Sequence, residues 1–351
     1  MAYISFQPTD FFSSKIYTGT GGASQAQTGL GFQPDLVWIK ARTAAESNTV
    51  WDSVRGVQKG LYTNNNAVEA TISTGLLSFD SDGFTVGSEG KVGGSYDYAS
   101  WNWKAGGAAS SNGVGDITSS VSVDTARGIS VGTYTGNGGT GQTVGHGLGA
   151  VPNIVIVKNL SSAASWVMYN SNIVPSNGGP PEDTWLVLDT SVAAQSNDGD
   201  RWGGTAPTST VFTISSGYSQ SNTNTDNYVF YAFAPIKGYS SLSKYTGNGN
   251  VDGPFVYTGF RPSFIIFKSA TTAYGWYLMD VKRNPYNIVD NYLYANDADA
   301  QGTHGFLDIL SNGFKIREAG VGSNTSGETY VYMAFAEFPF VSSNSKAGTA
   351  R

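Results

Sequence analysis

The sequence predicts an all-β fold, three tandem antiparallel β-sandwich units of the jelly-roll kind, and three observations carry that expectation. First, one stretch is written three times: Pro34-Asp35-Leu36-Val37-Trp38-Ile39-Lys40, Pro152-Asn153-Ile154-Val155-Ile156-Val157-Lys158 and Pro262-Ser263-Phe264-Ile265-Ile266-Phe267-Lys268. A short apolar run of β-branched and aromatic residues, opened by proline and closed by a charge, reads as a strand buried on both faces. Second, the surroundings keep step with it. Asp52, Asn170 and Asp280 each stand twelve residues past the lysine, and a Tyr-Thr-Gly beginning at Tyr17, Tyr134 or Tyr245 stands about seventeen ahead of the proline. The period is roughly 110 residues, which makes each copy long enough to bury its own core. Third, convincing helical periodicity is absent, while short strand patterns and turn signals follow one another closely.

In order along the chain, residues 1–14 form an N-terminal arm whose Phe6, Phe11 and Phe12 dock on a neighbour or pack on the first unit. Residues 15–105 are the first sandwich. Its Tyr17-Thr18-Gly19 enters a tight turn, and the later copies place Asn137-Gly138 and Asn248-Gly249 there, a strong hairpin signal. Apolar and polar residues alternate on both sides of Asp82-Gly83 in the stretch 77–86, the pattern of a half-buried hairpin. The third copy repeats it around Asn312-Gly313, and the second keeps only Val211-Phe212-Thr213-Ile214, so its turn must differ. Each unit ends on an aromatic strand, with Trp101 and Trp103, Tyr231 and Phe233, or Met333 and Phe335 sharing a face. Residues 106–128, rich in Gly, Ser and Ala, read as a linker that pairs in part as an edge strand. The second sandwich is 129–238 and the third 239–340. The short junction near 235–243 predicts tighter packing of the second on the third than of the first on the second. Residues 341–351 are a small, polar, flexible tail.

Composition narrows the function classes. Charged residues make up 13% of the chain, against 45 glycines and 13% aromatics, which fits turns and flat packing faces better than long solvated helices. A net charge of −6 with no clustered Lys and Arg argues against nucleic acid as partner. Cysteine is absent, which excludes disulfides and thiolate metal sites. No apolar run reaches the length of a membrane helix, and the first residues carry no basic-then-apolar secretory pattern. Membrane insertion is therefore not expected, and any route to the exterior is by assembly or lysis.

Candidate chemistry weakens when the copies are compared. Gly136-Asn137-Gly138-Gly139-Thr140-Gly141 spells a dinucleotide fingerprint, but it leads into another strand and its sister copies lack the third glycine, so no cofactor is expected. His146 aligns with Thr28 and Val256, and neither it nor His304 stands in a metal or triad spacing; both read as solvated loop histidines. Asp52 and Asp280 recur, yet Asn170 replaces them in the second copy and can serve neither as acid nor as base in glycan hydrolysis. Their fixed distance from Lys40, Lys158 and Lys268 suggests a polar pair or turn that fixes the sheet. The pairs Asp80 and Asp82, Asp198 and Asp200, and Asp297 and Asp299 have the spacing of calcium ligands but do not superpose across copies, so they read as solvated turns and no metal is expected. Trp185, Trp202 and Trp276 stack on sugars if exposed, and fill the sandwich or an inter-unit contact if not.

Several longer stretches carry a resemblance. The segments 32–40, 101–107, 253–262, Arg283-Asn284-Pro285-Tyr286-Asn287 and 334–340 resemble a family of bacteriophage virion proteins common in phages of cyanobacteria and other aquatic bacteria, described as tail-fibre or structural proteins. That resemblance implies concanavalin-like jelly-roll units, a place on the assembled particle and no catalytic residues to carry over. The expectation is a non-enzymatic structural protein of a tailed phage, assembled in the host cytoplasm and exposed on the virion exterior as a tail-fibre or appendage component. Other virion proteins, and a host surface glycan, are its expected partners. A capsid decoration protein and a glycan-binding or glycan-degrading spike are the alternatives. Homotrimer formation suits a phage appendage, and three tandem units can instead supply pseudo-threefold geometry within one chain.

Overall fold

The computed structural model describes residues 5–173, 179–196, 201–216, 219–320 and 322–339. The expected tail, 341–351, and the pair Asp198 and Asp200 lie outside the described residues. Among the described residues, apart from two short 3-10 turns, Pro8–Asp10 and Pro181–Asp183, every regular element is a strand, and every paired strand runs antiparallel to its neighbour.

Each copy of the proline-to-lysine stretch is the middle strand of a large sheet. In the first segment the order is Phe12–Thr18, Asp97–Trp103, Leu36–Ala41, Thr49–Asp52, Lys59–Tyr62, Ala70–Thr71. In the second it is Ser110–Asn112, Ser119–Asp124, Ile129–Thr135, Asn227–Phe233, Ile154–Asn159, Val167–Asn170, Thr184–Val187, Gln195–Ser196. In the third, Ser240–Thr246, Thr329–Pro339, Phe260–Ser269, Tyr277–Asp280 and Val289–Tyr294 continue through Gly302–Leu310 and Gly313–Ile316 to Phe255–Tyr257. The smaller sheets that face the first two are Gln25–Thr28, Gly83–Val86, Leu76–Asp80 and Gln142–Gly145, Val211–Ile214. Pro34 and Pro152 precede their strands. Pro262 lies inside its longer strand, at a register shift against Thr329–Pro339, where a residue without an N–H is tolerated.

Alternation along the middle strand explains why both of its faces are buried. Val37 and Ile39, Val155 and Val157, and Ile265 and Phe267 point into the core of their own segment. Leu36 and Trp38, Ile154 and Ile156, and Phe264 and Ile266 point the other way, into one central core. Trp101 and Trp103, Tyr231 and Phe233, and Met333 and Phe335 join them there, so the aromatic strands feed the central core through one face. The other face of the same strands carries a stacked pair in each segment: Tyr17 on Tyr98, Tyr134 on Tyr228 and Tyr245 on Tyr330, with ring centroids 5.1, 5.0 and 5.0 Å apart.

One expectation is corrected. The Asn-Gly turns do not close hairpins: Ile129–Thr135 pairs with the aromatic strand, whereas Gln142–Gly145 pairs with Val211–Ile214. The turn carries the chain to the small sheet in the second segment and to the far edge of the eight-stranded sheet in the third, pinned by Asn222 and Asn324, whose amides bond Asn137 and Asn248. Residues 106–128 supply the edge strand Ser110–Asn112 of the second segment and its neighbour Ser119–Asp124. The hairpin predicted around Asp82-Gly83 is present, and so is its third copy; in the second segment Val211–Ile214 pairs only with Gln142–Gly145. The first segment packs on the third as well as on the second, and residues of the N-terminal arm take part. Phe6 packs edge-on against Tyr239 at 5.5 Å and Phe12 stacks on Phe335 at 5.1 Å.

Candidate functional site

The residues that the three copies hold in common meet where the segments join. Lys40, Lys158 and Lys268 are fully buried, on the same strand face as Leu36, Ile154 and Phe264. Each ammonium donates to the carbonyl six residues on, in its own loop, and to a carbonyl of a neighbouring segment. Lys40 bonds Glu46 and, 2.6 Å away, Ala298 of the third segment. Lys158 bonds Ala164 and, at 3.1 Å, Asn66 of the first. Lys268 bonds Tyr274 and, at 2.8 Å, Ser191 of the second. The order closes on itself: first on third, second on first, third on second.

Two further sets repeat that order. The backbone carbonyls of Arg42, Leu160 and Ala270 accept the N–H groups of Gln301, Glu69 and Ala194 of the same neighbours. Eight residues past each lysine, Asn48 donates to the Asp297 carbonyl, Trp166 to that of Tyr62 and Trp276 to that of Val187, at 2.8, 2.8 and 2.9 Å. Burial pushes all three lysines down, Lys40 and Lys158 to about 8 and Lys268 to about 7. Asp297, Asp299 and Glu46 offset part of the loss at Lys40, and Asp189 part at Lys158.

Asp52 and Asp280 do not pair with the lysines; each closes a turn, accepting the N–H of Arg55 or Arg283 at 2.9 Å. Each is the buried partner of an arginine three residues on: Arg55 Nε lies 2.5 Å from Asp52 Oδ2, and Arg283 Nε lies 2.5 Å from Asp280 Oδ2. Each also accepts a bond from the aromatic strand of another segment, from Tyr231 Oη at 2.7 Å and from Trp101 Nε1 at 3.2 Å. Burial pulls the Arg55 guanidinium down, but Asp52, Tyr231 and Glu69 more than reverse it and leave it above its ordinary value. The second segment changes every member of this trio. Asn170 replaces the carboxylate, Ile173 stands where the arginine would be, and Met333 occupies the position of Trp101 and Tyr231. Ile173 and Met333 both belong to the central core. A buried carboxylate without its arginine would be costly, so charge, counter-charge and donor are present together or absent together.

The other candidates are structural. His146 is not solvated but fully buried: its Nδ1 accepts from the Leu148 N–H at 3.1 Å, which leaves Nε2 to donate to the Thr208 carbonyl, and burial lowers its pKa. Strand register aligns Gly145, not His146, with Thr28, and Tyr257 shares that position. His304 is exposed and pairs with Glu318 at 2.6 Å. Trp185, Trp202 and Trp276 are buried, and Trp202 and Trp276 donate to the carbonyls of Thr184 and Val187. Asp82 caps the N–H groups of Gly29 and Gly31, Asp80 accepts from Thr85, and among the described residues no His, Cys, Asp or Glu cluster could hold a metal ion. No described helix is long and apolar enough to cross a membrane.

The trio leaves no mark within one copy of the sequence, because its donor lies 179 residues from its carboxylate. Its members come from two segments, and only the sets 52, 55 and 231, then 280, 283 and 101, against 170, 173 and 333, show the exchange. No curated protein and no solved structure matches the chain. A family model described as a domain of unknown function, DUF7483, matches residues 7–339, nearly the whole of what has just been described, and the chain belongs to that family.

Proposed function

We propose that the chain is a non-enzymatic structural protein of a tailed bacteriophage virion, a tail-fibre or appendage component on the particle exterior that contacts the host surface. One observation carries the non-enzymatic part: the groups shared by all copies, the lysines foremost, have their hydrogen bonds directed at joining segments. The resemblance of the segments 32–40, 101–107, 253–262, 283–287 and 334–340 to phage virion proteins supports the place on a particle. The closed order of contacts within one chain supports a monomer over a homotrimer, with other virion proteins as attachment partners.

The experiment is electron cryo-microscopy of intact particles carrying a gold-labelled copy of this chain. Label on the tail or its fibres is the expected result, and label distributed over the icosahedral shell would replace this reading with capsid decoration. Incubating the purified chain with host envelope polysaccharide tests the remaining alternative. New reducing ends would make it a glycan-degrading spike.

A further inference from the structure

The three segments are internal controls for one another, and one outer face fails to match. Residues that point out of the small sheet are identified by the strand register, in which Gln27, Val144 and Val256 sit opposite Phe84, Phe212 and Phe314. The residues flanking these inward positions are Ala26 and Thr28 in the first segment, and Thr143 and Gly145 in the second. In the third they are Phe255 and Tyr257, 46% and 54% exposed. Among the described residues of the first two segments, Tyr96 is the one aromatic with comparable exposure. Because the same fold tolerates Ala, Thr and Gly at these sites twice over, folding does not require the two rings.

Their surroundings define what they would take. Phe255 Cε2 lies 3.0 Å from where a Cβ on Gly313 would stand, so the ring lies against bare backbone and turns its other face outward. Along its row of the sheet come Lys315 and then Asp308. Lys315 pairs with Asp252 at 2.8 Å, and Asp308 with Arg317 at 3.4 Å. At the Gly302–Leu310 strand a third ring, Tyr286, is 77% exposed. The next residue, Asn287, ties this segment to that strand, its side chain bonding both the N–H and the carbonyl of Ile309 at 2.8 and 2.9 Å.

We infer that this face, Phe255, Tyr257 and Tyr286 with the ion pairs of Lys315 and Asp308, is a binding site for a neutral hexose polysaccharide. Ring faces stack on the C–H face of a pyranose, and adjacent carboxylates and cations accept from and donate to its hydroxyls. Two acidic and two basic groups cancel, which favours an uncharged chain over an anionic one, and charged pairs beside the rings limit the apolar area that a protein interface core needs.

The inference gives a ligand class to the host-contact reading above and is separately testable, since particle images decide location and sugar binding decides this site. The purified full chain is passed over immobilised α-glucan, β-glucan, mannan and galactan, with polygalacturonate as the acidic control. Retention on at least one neutral polysaccharide is expected. The double variant Phe255→Ala, Tyr257→Thr carries the residues of the first segment and should melt as the parent does while binding at least ten-fold more weakly. Tyr286→Ala should give a smaller loss, and Ile16→Ser, at an exposed apolar site of the first segment, none. The saturating polysaccharide should also protect Tyr257 and Tyr286 of the unsubstituted chain from nitration. No retention on any neutral polymer, preference for polygalacturonate, or undiminished binding by the folded double variant would overturn the site.

Discussion

A buried lysine whose acceptors are backbone carbonyls holds two segments together with a charge that water would rather keep. Burial lowers Lys40 and Lys158 to about 8 and Lys268 to about 7. Above those values the folded chain gives up the protons, while the unfolded chain holds them to the ordinary 10.5. The unfolded state then binds more protons, so stability climbs as pH rises through that window. The tyrosines oppose this above pH 10: half-buried Tyr17 and buried Tyr134 and Tyr245 keep their protons when folded and lose them when unfolded, so stability falls there. Thermal melts should therefore show greatest stability on the alkaline side of neutrality. Lys268→Met should flatten the rise by up to about 1.4 kcal/mol per pH unit, the contribution of one proton. His146 contributes to the acid limb. Its lowered pKa means that below about 6.5 the unfolded chain takes a proton the folded chain refuses, so stability is lost as pH falls, and His146→Gln should shrink that loss in the same melts.

Single elements show what was legible in the sequence and what was not. The proline-to-lysine strand could be read because an unbroken apolar run with a period of two on each face has few other solutions. The destination of its lysine could not, because the Ala298 carbonyl that Lys40 reaches lies 258 residues away and carries no side-chain signature. The Asn-Gly turns misled because a tight reversal looks the same whether the next strand pairs with the last or crosses to the opposite sheet. At the carboxylate the lesson is coupling. Arg283→Ile alone leaves Asp280 buried without its cation and should cost about 3–5 kcal/mol in urea unfolding. Adding Asp280→Asn and Trp101→Met gives this site the composition the second segment carries naturally. The triple variant should lose less than the sum of its three single changes, and strict additivity would show that the trio is not a unit.

Across the whole molecule the central core belongs to no segment by itself. Calorimetry should accordingly record one unfolding transition rather than three. A fragment of residues 129–238 expressed alone should not persist as a folded monomer in light scattering, because Ile154, Ile156, Tyr231 and Phe233 would face water. The core is not filled completely: a cavity of about 40 Å³ remains, bordered by Trp38, Val50, Ile156, Trp166, Ile266 and Met333. Val50→Ile adds one methylene at its wall and should raise the unfolding free energy by about 0.5–1 kcal/mol. Ile266→Ala enlarges the void and should lower it by about 2–5 kcal/mol.

The cyclic order of the lysine bonds has a consequence for birth as well as for stability. On a ribosome delivering about 5–20 residues each second, Lys40 must wait roughly 10–50 s for Ala298 to be made. The aromatic strand Thr329–Pro339, which pairs with both Ser240–Thr246 and Phe260–Ser269, emerges later still. Until then two finished sandwiches hold greasy flanks open to every other nascent copy, so slow translation or a truncated message should show itself first as inclusion bodies.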